Sequence, residues 1–179
     1  MGDAPMPAGR PAPRLADVMS DECLPVRAGA APRTYRGLPH TQLDQQPDAR
    51  IRAQLARRFG GFSDVEEQSS KVRAPGARAL FLCPEVDGGP AEAFLVDREF
   101  AHLHALPDSS LHMVLPGPLA AQAVEAGWAE FHPAADTGTG PPTAVLIYAP
   151  RDAAEIDVVL GLLQRSYENA RGVRYQPGG

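Results

Sequence analysis

Histidines are the side chains of this sequence best suited to chemistry, and four of the five lie between positions 102 and 132. Imidazole titrates near neutral pH and is a common ligand of divalent metals, so such a group suits acid–base catalysis or metal binding. A carboxylate, Glu130, lies among them. The four histidines are His102, His104, His112 and His132.

Strand periodicity predicts how three of these imidazoles meet. Residues 100–105 and 111–115 alternate apolar with other residues and are separated by a turn-rich stretch, which is typical of a hairpin. In the register that sets His104 opposite His112, His102 lies diagonally, about 7 Å away. The apolar faces of both strands then pack on helices, and the three imidazoles share an exposed surface.

A third short strand is predicted to extend this surface. Trp128, Glu130 and His132 alternate in the same way, which adds an aromatic wall for a flat conjugated ring, a carboxylate and a further imidazole. Incidental placement of histidines on an exposed sheet face is the alternative, because one His-x-His pair is a weak motif.

The elements around these residues indicate an α+β domain. Helices are predicted over 47–59, over 118–126, and from Asp152 to Gly172, where Glu155 lies three residues after the capping Asp152. Strands in succession with helices at the ends predict a single antiparallel sheet of five to six strands, packed on one face by two to three helices. The strands are predicted at 79–83, 93–96, 100–105, 111–115, 128–131 and 144–148.

Length and composition bound the domain organisation. The chain has 179 residues, enough for one domain with a tail. Residues 1–43 are rich in proline and alanine without periodic apolar positions, which predicts a flexible N-terminal arm. Residues 1 to about 35 are expected to contribute little to stability. The domain is expected over 44–172 and a C-terminal tail over 173–179.

The net charge and the length of the apolar runs limit the classes of binding partner that we expect. The net charge is -5, and no basic block tracks a phosphate backbone, so neither nucleic acid nor a membrane is expected as a partner. The longest apolar run, Ala144–Ala149, is too short to span a bilayer, and no signal peptide is recognisable. We therefore expect a cytoplasmic protein in which Cys23 and Cys83 are reduced.

The order of several short motifs resembles the luciferase-like domain family, which takes its name from the luciferase of bioluminescent fungi and is found mostly in bacterial proteins. The resemblance covers about residues 60–172. It rests on the strings Glu99–His104, Ser110–His112, Leu115–Pro116, Gly127–His132 and Tyr148–Asp152.

The resemblance implies an activity. The member that names the family oxidises an electron-rich hydroxypyrone with molecular oxygen, through a peroxide and with loss of carbon dioxide, without a flavin or metal. We expect no counterpart of the membrane-anchoring N-terminal segment of that enzyme, and therefore a soluble relative with its own substrate. By resemblance, the catalytic positions are His102, His104, His112, Glu130 and His132, with Tyr148 and Arg151 behind them.

These observations lead to one hypothesis and two open alternatives. The hypothesis is a small oxygenase of secondary metabolism that acts on an enolisable, electron-rich molecule such as a pyrone or phenol, with oxygen as co-substrate and no cofactor. Substrate is expected to contact Trp128, Tyr148 and Arg151. One alternative is a metal-dependent hydrolase, lyase or oxygenase, and the other is a non-catalytic small-molecule-binding module. In the metal alternative His102, His104 and His112 are ligands, and Glu130 or His132 completes the site.

Overall fold

The computed structural model describes residues 24–72 and 74–176. Positions 1–23, with most of the predicted arm and Cys23, lie outside the described residues, as do the last three positions of the predicted tail. Cys83 is a free thiol. Within the described ranges no helix is both long and apolar enough to cross a bilayer.

A six-stranded antiparallel sheet forms the centre of the described part of the chain, in the order β3-β4-β5-β6-β8-β7. A separate two-stranded sheet, β1-β2, precedes it. The strands are β1 (Thr34–Tyr35), β2 (Thr41–Gln42), β3 (Val65–Ser69), β4 (Arg78–Leu82), β5 (Glu99–Leu103), β6 (Leu111–Val114), β7 (Ala129–Phe131) and β8 (Ala144–Ile147). The helices are α1 (Ala49–Arg58), α2 (Gly117–Glu125), α3 (Pro133–Asp136) and α4 (Ala153–Ala170).

Helices cover the apolar face of the sheet. Helix α4 begins where Asp152 accepts a hydrogen bond from the Glu155 N–H at 2.9 Å, and α1 begins in the same way at Asp48. The α4 stripe that includes Ile156 and Leu163 is buried and packs against β5 and β6, and α1 packs on α4. The predicted α+β class, an antiparallel sheet packed by helices, is confirmed.

Two local predictions are wrong, and one strand was not predicted. The predicted strand 93–96 is absent: Ala91–Ala93 form a 3-10 turn, and Val96 makes a single bridge to Glu99. Glycine, threonine and proline predict a loop over 134–142, but Pro133–Asp136 form the short helix α3, which Pro133 opens. No strand was predicted over Val65–Ser69, which form the edge strand β3; four of these five residues are exposed, as suits a polar edge strand.

The β5–β6 register differs from the predicted one by two residues. His102 lies opposite His112, and the His104 N–H donates to the Ser110 carbonyl at 2.9 Å beyond the end of the strands. Alternation has a period of two, so this displacement leaves every side chain on its predicted face but changes which imidazoles are neighbours.

A β-bulge in β5 departs from strict alternation. The pairing with β4 shifts between Leu80 and Phe81, so that Leu80 opposes Ala101 whereas Phe81 opposes Glu99. Phe100 is the extra residue, and it joins the apolar core beside Tyr167 of α4 instead of the histidine face. The bulge thereby turns the Glu99 side chain toward His102.

Irregular segments cover the histidine face, which the sequence predicted to be exposed. His102, His104 and His112 are buried. The described part of the predicted arm, residues 24–43, supplies some of this cover: His40 is 1% exposed, and the Gln42 side chain accepts the Ala149 N–H. Individual residues such as His40 and Gln42 hold this segment against the sheet. Because they are not regularly spaced, the sequence of the segment shows no periodic pattern.

Candidate active site

Neighbouring strands bring the site residues into one row across the sheet. His102 of β5 lies opposite His112 of β6, which lies opposite Leu146 of β8, which lies opposite Glu130 of β7. His104 extends β5 past its last ladder pair, and its ring centroid lies 4.7 Å from that of His112. Of the five residues predicted as catalytic, His102, His104 and His112 are in mutual contact.

His102 is oriented by a buried carboxylate. Its Nδ1 lies 2.7 Å from the Glu99 carboxylate, which also accepts the Ser70 hydroxyl and the Lys71 N–H, each at 2.8 Å. Because that carboxylate serves as an acceptor, the His102 Nδ1–H donates to it. The Nε2 of a neutral His102 ring then carries a lone pair.

His104 has a carboxylate partner of its own. Its Nδ1 lies 2.6 Å from the Asp108 carboxylate and 3.1 Å from the Ser110 hydroxyl. Burial acts against ionisation of Asp108, but hydrogen bonds from His104 and Ser110 outweigh it and lower the pKa of that carboxyl. Asp108 therefore accepts the His104 Nδ1–H, and the His104 Nε2 presents a lone pair 3.3 Å from the His102 Nε2.

His112 is linked to a third carboxylate through His40. The His112 Nδ1 lies 3.1 Å from the His102 Nε2, and the His112 Nε2 lies 3.2 Å from the His40 Nδ1. At the far end, the His40 Nε2 lies 2.6 Å from the Glu130 carboxylate, to which Arg36 also pairs at 3.5 Å. The predicted catalytic residue Glu130 is thus joined to the cluster through His40.

His132 contacts the cluster by its ring and not through a carboxylate. Its centroid lies 4.7 Å from that of His112 and 5.2 Å from that of His40. The Ala134 N–H donates to the His132 Nδ1 at 3.0 Å, so the proton of the neutral ring is on Nε2. His132 therefore offers a hydrogen-bond donor, whereas His102 and His104 offer lone pairs.

Burial favours the neutral form of four imidazoles, those of His40, His102, His112 and His132. It lowers the pKa of His40 and of His102 against the effect of their carboxylate partners, and it lowers the pKa of His112 well below its usual value. Burial and the neighbouring imidazoles lower the pKa of His132 to about 4. Neutral imidazoles can accept protons or bind metals, which imidazolium ions cannot.

A cavity of about 290 Å³ opens above these five rings. All five histidines line it, and its walls are largely apolar. An apolar enclosure with a few converging polar groups is the usual form of a small-molecule site, and this volume lies near the lower end of the range of roughly 300–1,000 Å³. The walls include Leu38, Pro39, Val72, Leu95 and Pro141.

The three residues predicted to contact substrate lie outside the lining of this cavity. The Arg27 guanidinium lies 5.9 Å from the ring centre of Trp128 and 5.5 Å from that of Tyr148. Arg151 pairs with Glu155 and donates to the Ala28 carbonyl at 2.8 Å. In the structure Trp128, Tyr148 and Arg151 anchor the N-terminal segment; their role toward substrate stays a prediction.

Sequence reasoning missed three residues of the site. His40 is far away in sequence, in a segment without periodicity, and nothing local indicated that it would return to the sheet. Asp108 was interpreted as a turn residue, although an aspartate four residues after His104 was an available signal. The sequence assigns Glu99 to a solvated turn beside His102, and this assignment does not predict a buried carboxylate of the site.

The fold and the site define a class: an α+β domain whose sheet carries a buried, carboxylate-linked histidine cluster beneath a small cavity. Residues 97–166 match the family model described as Luciferase domain. The resemblance inferred from the motifs is thus confirmed: this part of the chain is similar to the luciferase domain family.

Curated relatives of this chain are luciferases from fungi. The luciferases of Armillaria ostoyae and Armillaria mellea are each 32% identical in an alignment of 158 residues, and the match covers 80% of this chain and 59% of each relative. The luciferase of Neonothopanus nambi is 34% identical in an alignment of 99 residues, and the match covers 50% of this chain and 37% of that protein. The chain therefore spans less than two thirds of the length of these relatives. No solved structure matches it.

Proposed function

We propose that this chain is an oxygenase that adds molecular oxygen to a planar, enolisable, electron-rich small molecule of secondary metabolism, bound in the histidine cavity. The observation that carries the proposal is the pair of carboxylate–imidazole dyads, Glu99–His102 and Asp108–His104, whose Nε2 atoms lie 3.3 Å apart at the cavity. The similarity to fungal luciferases supports it from an independent direction.

The dyads suit the first step, which is removal of the acidic hydroxyl proton of the substrate. A carboxylate that accepts the Nδ1–H fixes the tautomer of the ring and makes the opposite Nε2 more basic. The substrate then has the character of an enolate, whose carbon is rich in electrons. Hydrogen-bond donors at the cavity, such as the His132 Nε2–H, stabilise the oxyanion.

The second step consumes one oxygen molecule. The enolate carbon forms a bond to oxygen, the carbon is oxidised by two electrons, and the oxygen is reduced to the peroxide level. Return of the proton gives a hydroperoxide, so that substrate and oxygen account for all atoms and electrons of the product. The apolar walls exclude water, which preserves such an intermediate.

Oxygen uptake by the purified chain tests the proposal. A panel of hydroxypyrones and phenols is offered in a closed oxygen-electrode cell, and a substrate of this class is expected to give uptake with product formation. Asp108→Asn should lower the rate at least about 100-fold, because the amide no longer holds His104 as a carboxylate does. Ligand binding without any oxygen uptake would contradict an oxygenase and favour a non-catalytic binding module.

A matched control comes from the helical side of the molecule. Asp157 of α4 pairs with Arg58 at 2.8 Å, and neither residue lines the histidine cavity. Asp157→Asn makes the same chemical change and should leave oxygen uptake within about twofold, as expected for a surface ion pair. Equal losses in both variants would mean that Asp108 has no specific part in the reaction.

A further inference from the structure

Proton positions in the histidine cluster follow from its three carboxylates. Glu99 and Asp108 accept the Nδ1–H groups of His102 and His104, as their contacts require. This leaves two Nε2 lone pairs facing each other at 3.3 Å with no hydrogen between them while both rings are neutral. Two acceptors at this distance repel each other unless a cation lies between them.

The third imidazole adds a third lone pair at the same point. Glu130 accepts the His40 Nε2–H, which leaves the His40 Nδ1 as the acceptor for the His112 Nε2–H. The remaining nitrogen of His112 is its Nδ1, which lies 3.1 Å from the His102 Nε2. In the tautomers that these hydrogen bonds require, three lone pairs therefore converge.

We propose that His102, His104 and His112 bind one divalent transition-metal ion through Nε2, Nε2 and Nδ1, with a coordination position open to the cavity. The three ligand atoms lie within 4.8 Å of one another. Two nitrogen ligands of a tetrahedral ion at about 2.1 Å lie about 3.4 Å apart, close to the observed 3.1 and 3.3 Å.

The surroundings match those of catalytic metal centres. Three imidazole ligands and an open position are the arrangement of several catalytic zinc sites, and imidazole also suits iron, copper and nickel. Metal-binding histidines generally donate their other N–H to a carboxylate or another acceptor, as His102 does to Glu99, His104 to Asp108 and His112 to His40. The Glu99 and Asp108 carboxylates behind the site also balance the charge of the ion.

A second group of imidazoles, His40, His112 and His132, also has ligand atoms within 4.8 Å of one another. It is the weaker candidate, because the Ala134 N–H occupies the His132 Nδ1 and its Nε2 carries the ring proton. His132 cannot supply a lone pair without breaking that hydrogen bond. The two groups share His112, so His104 and His132 distinguish them.

The family resemblance implies oxygenation without a metal, so the proposal rests on the distances between the three ligand atoms and on the hydrogen-bond partners of their rings. It deepens the proposed function at the same site: with the ion bound, the Nε2 atoms of His102 and His104 would be its ligands, and the ion would acidify the substrate hydroxyl in place of these two bases, with the proton released to solvent. Metal binding is nevertheless measured without substrate or oxygen. A chain that binds the metal ion but shows no oxygen uptake would therefore refute the oxygenase and leave the metal site intact. Oxygen uptake by a chain that binds no metal ion would refute the metal site and leave the oxygenase intact.

The test is titration of the tag-free, chelator-treated chain with Co²⁺, followed by its visible ligand-field absorption, and with Zn²⁺ in competition with a chromophoric chelator. We expect one ion per chain. Absence of stoichiometric binding of both ions to the folded wild-type chain would overturn the proposal, whatever the variants do.

Two histidine-to-alanine variants locate the ion. His104→Ala should weaken binding at least 100-fold, whereas His132→Ala should change it less than about threefold. The assigned ligands would be refuted if His132→Ala lost metal binding while His104→Ala kept it. They would also be refuted if both variants lost it to the same extent. Asp108→Asn keeps all three ligands and should weaken binding about 10- to 100-fold, which keeps the test decisive if His104→Ala does not fold.

Discussion

The two faces of strands β5 and β6 are built from alternate residues of the same chain but serve opposite purposes. On one face Ala101, Leu111 and Met113 are fully buried against the helices. On the other face His102 and His112 are nearly as buried, yet their neighbours are other imidazoles and carboxylates. Burial alone therefore does not distinguish a structural face from a chemical one.

The difference lies in what covers each face. Regular helices with periodic apolar stripes cover the first face, and every contact there removes apolar surface from water. Irregular segments cover the second face, and each buried ring needs a hydrogen-bond partner to offset its desolvation. The second face is thus specified by the individual hydrogen-bond partners of its rings.

The largest stability effect is expected on the helical face. Leu111 is fully buried, and Leu111→Ala should lower the free energy of unfolding by about 2–5 kcal/mol, measured by urea denaturation. Leu106 lies in the turn between β5 and β6 and is 71% exposed. Leu106→Ala should therefore change the free energy of unfolding by less than about 0.5 kcal/mol. Similar losses in the two variants would contradict the assignment of this face as the core.

The contrast between the faces also separates what could be predicted from sequence. The α4 stripe, the Asp152 cap and the alternation of β5 and β6 are local patterns, and each predicted its element and its buried face. The family motifs lie in this same regular region. The α+β class followed from these elements because few arrangements bury such stripes against one sheet.

The rest of the site depends on contacts that local patterns do not encode. His40 reaches His112 across 72 positions. The bulge at Phe100 shifts alternation by one residue and changes the face of Glu99, and a bulge has no reliable signature in a single sequence. The register of β5 and β6 is set by the length of the turn between them. The predicted strands leave a turn over 106–110, whereas the last ladder pair is Leu103 with Leu111, so the predicted turn is two residues too short.

An intermediate effect on the free energy of unfolding is expected at Arg27, which anchors the N-terminal segment to the sheet. Arg27 is buried, lies between the rings of Trp128 and Tyr148, and donates to the Ala149 carbonyl and to Glu155. Arg27→Ala should lower the free energy of unfolding by about 1–3 kcal/mol, because it removes hydrogen bonds of a buried charged group. Amide exchange at residues 38–42 should become faster, since these residues depend on the anchor.

An exposed arginine of the same segment provides the control. The Arg33 side chain is 78% exposed and pairs with Asp44, so Arg33→Ala should change stability by less than about 0.5 kcal/mol. If Arg27→Ala left the exchange of residues 38–42 unchanged, the segment would not depend on this anchor. That result would agree with the prediction from composition that residues 1 to about 35 contribute little to stability.

The smallest effect concerns Tyr148, which lies between the Arg27 anchor and Glu130 of the site. Burial raises the pKa of its phenol to about 12, and the Glu130 charge acts in the same direction. The folded state therefore disfavours the phenolate relative to the unfolded chain, whose tyrosines titrate near 10. The stability contributed by this residue is fully present below pH 10 and is lost as the pH rises toward 12.

Comparison with Tyr148→Phe isolates this contribution, because phenylalanine keeps the ring and removes the titrating group. The free energy of unfolding of the wild type, relative to the variant, should fall by about 1 kcal/mol between pH 9 and pH 11. Urea denaturation at the two pH values measures it, and the subtraction removes the titration of groups that both chains share. A pH-independent difference would mean that the phenol ionises as readily in the folded chain as in water. The junction between the anchor and the histidine site would then be hydrated, and the irregular cover would protect the cavity less completely than the helices protect the core.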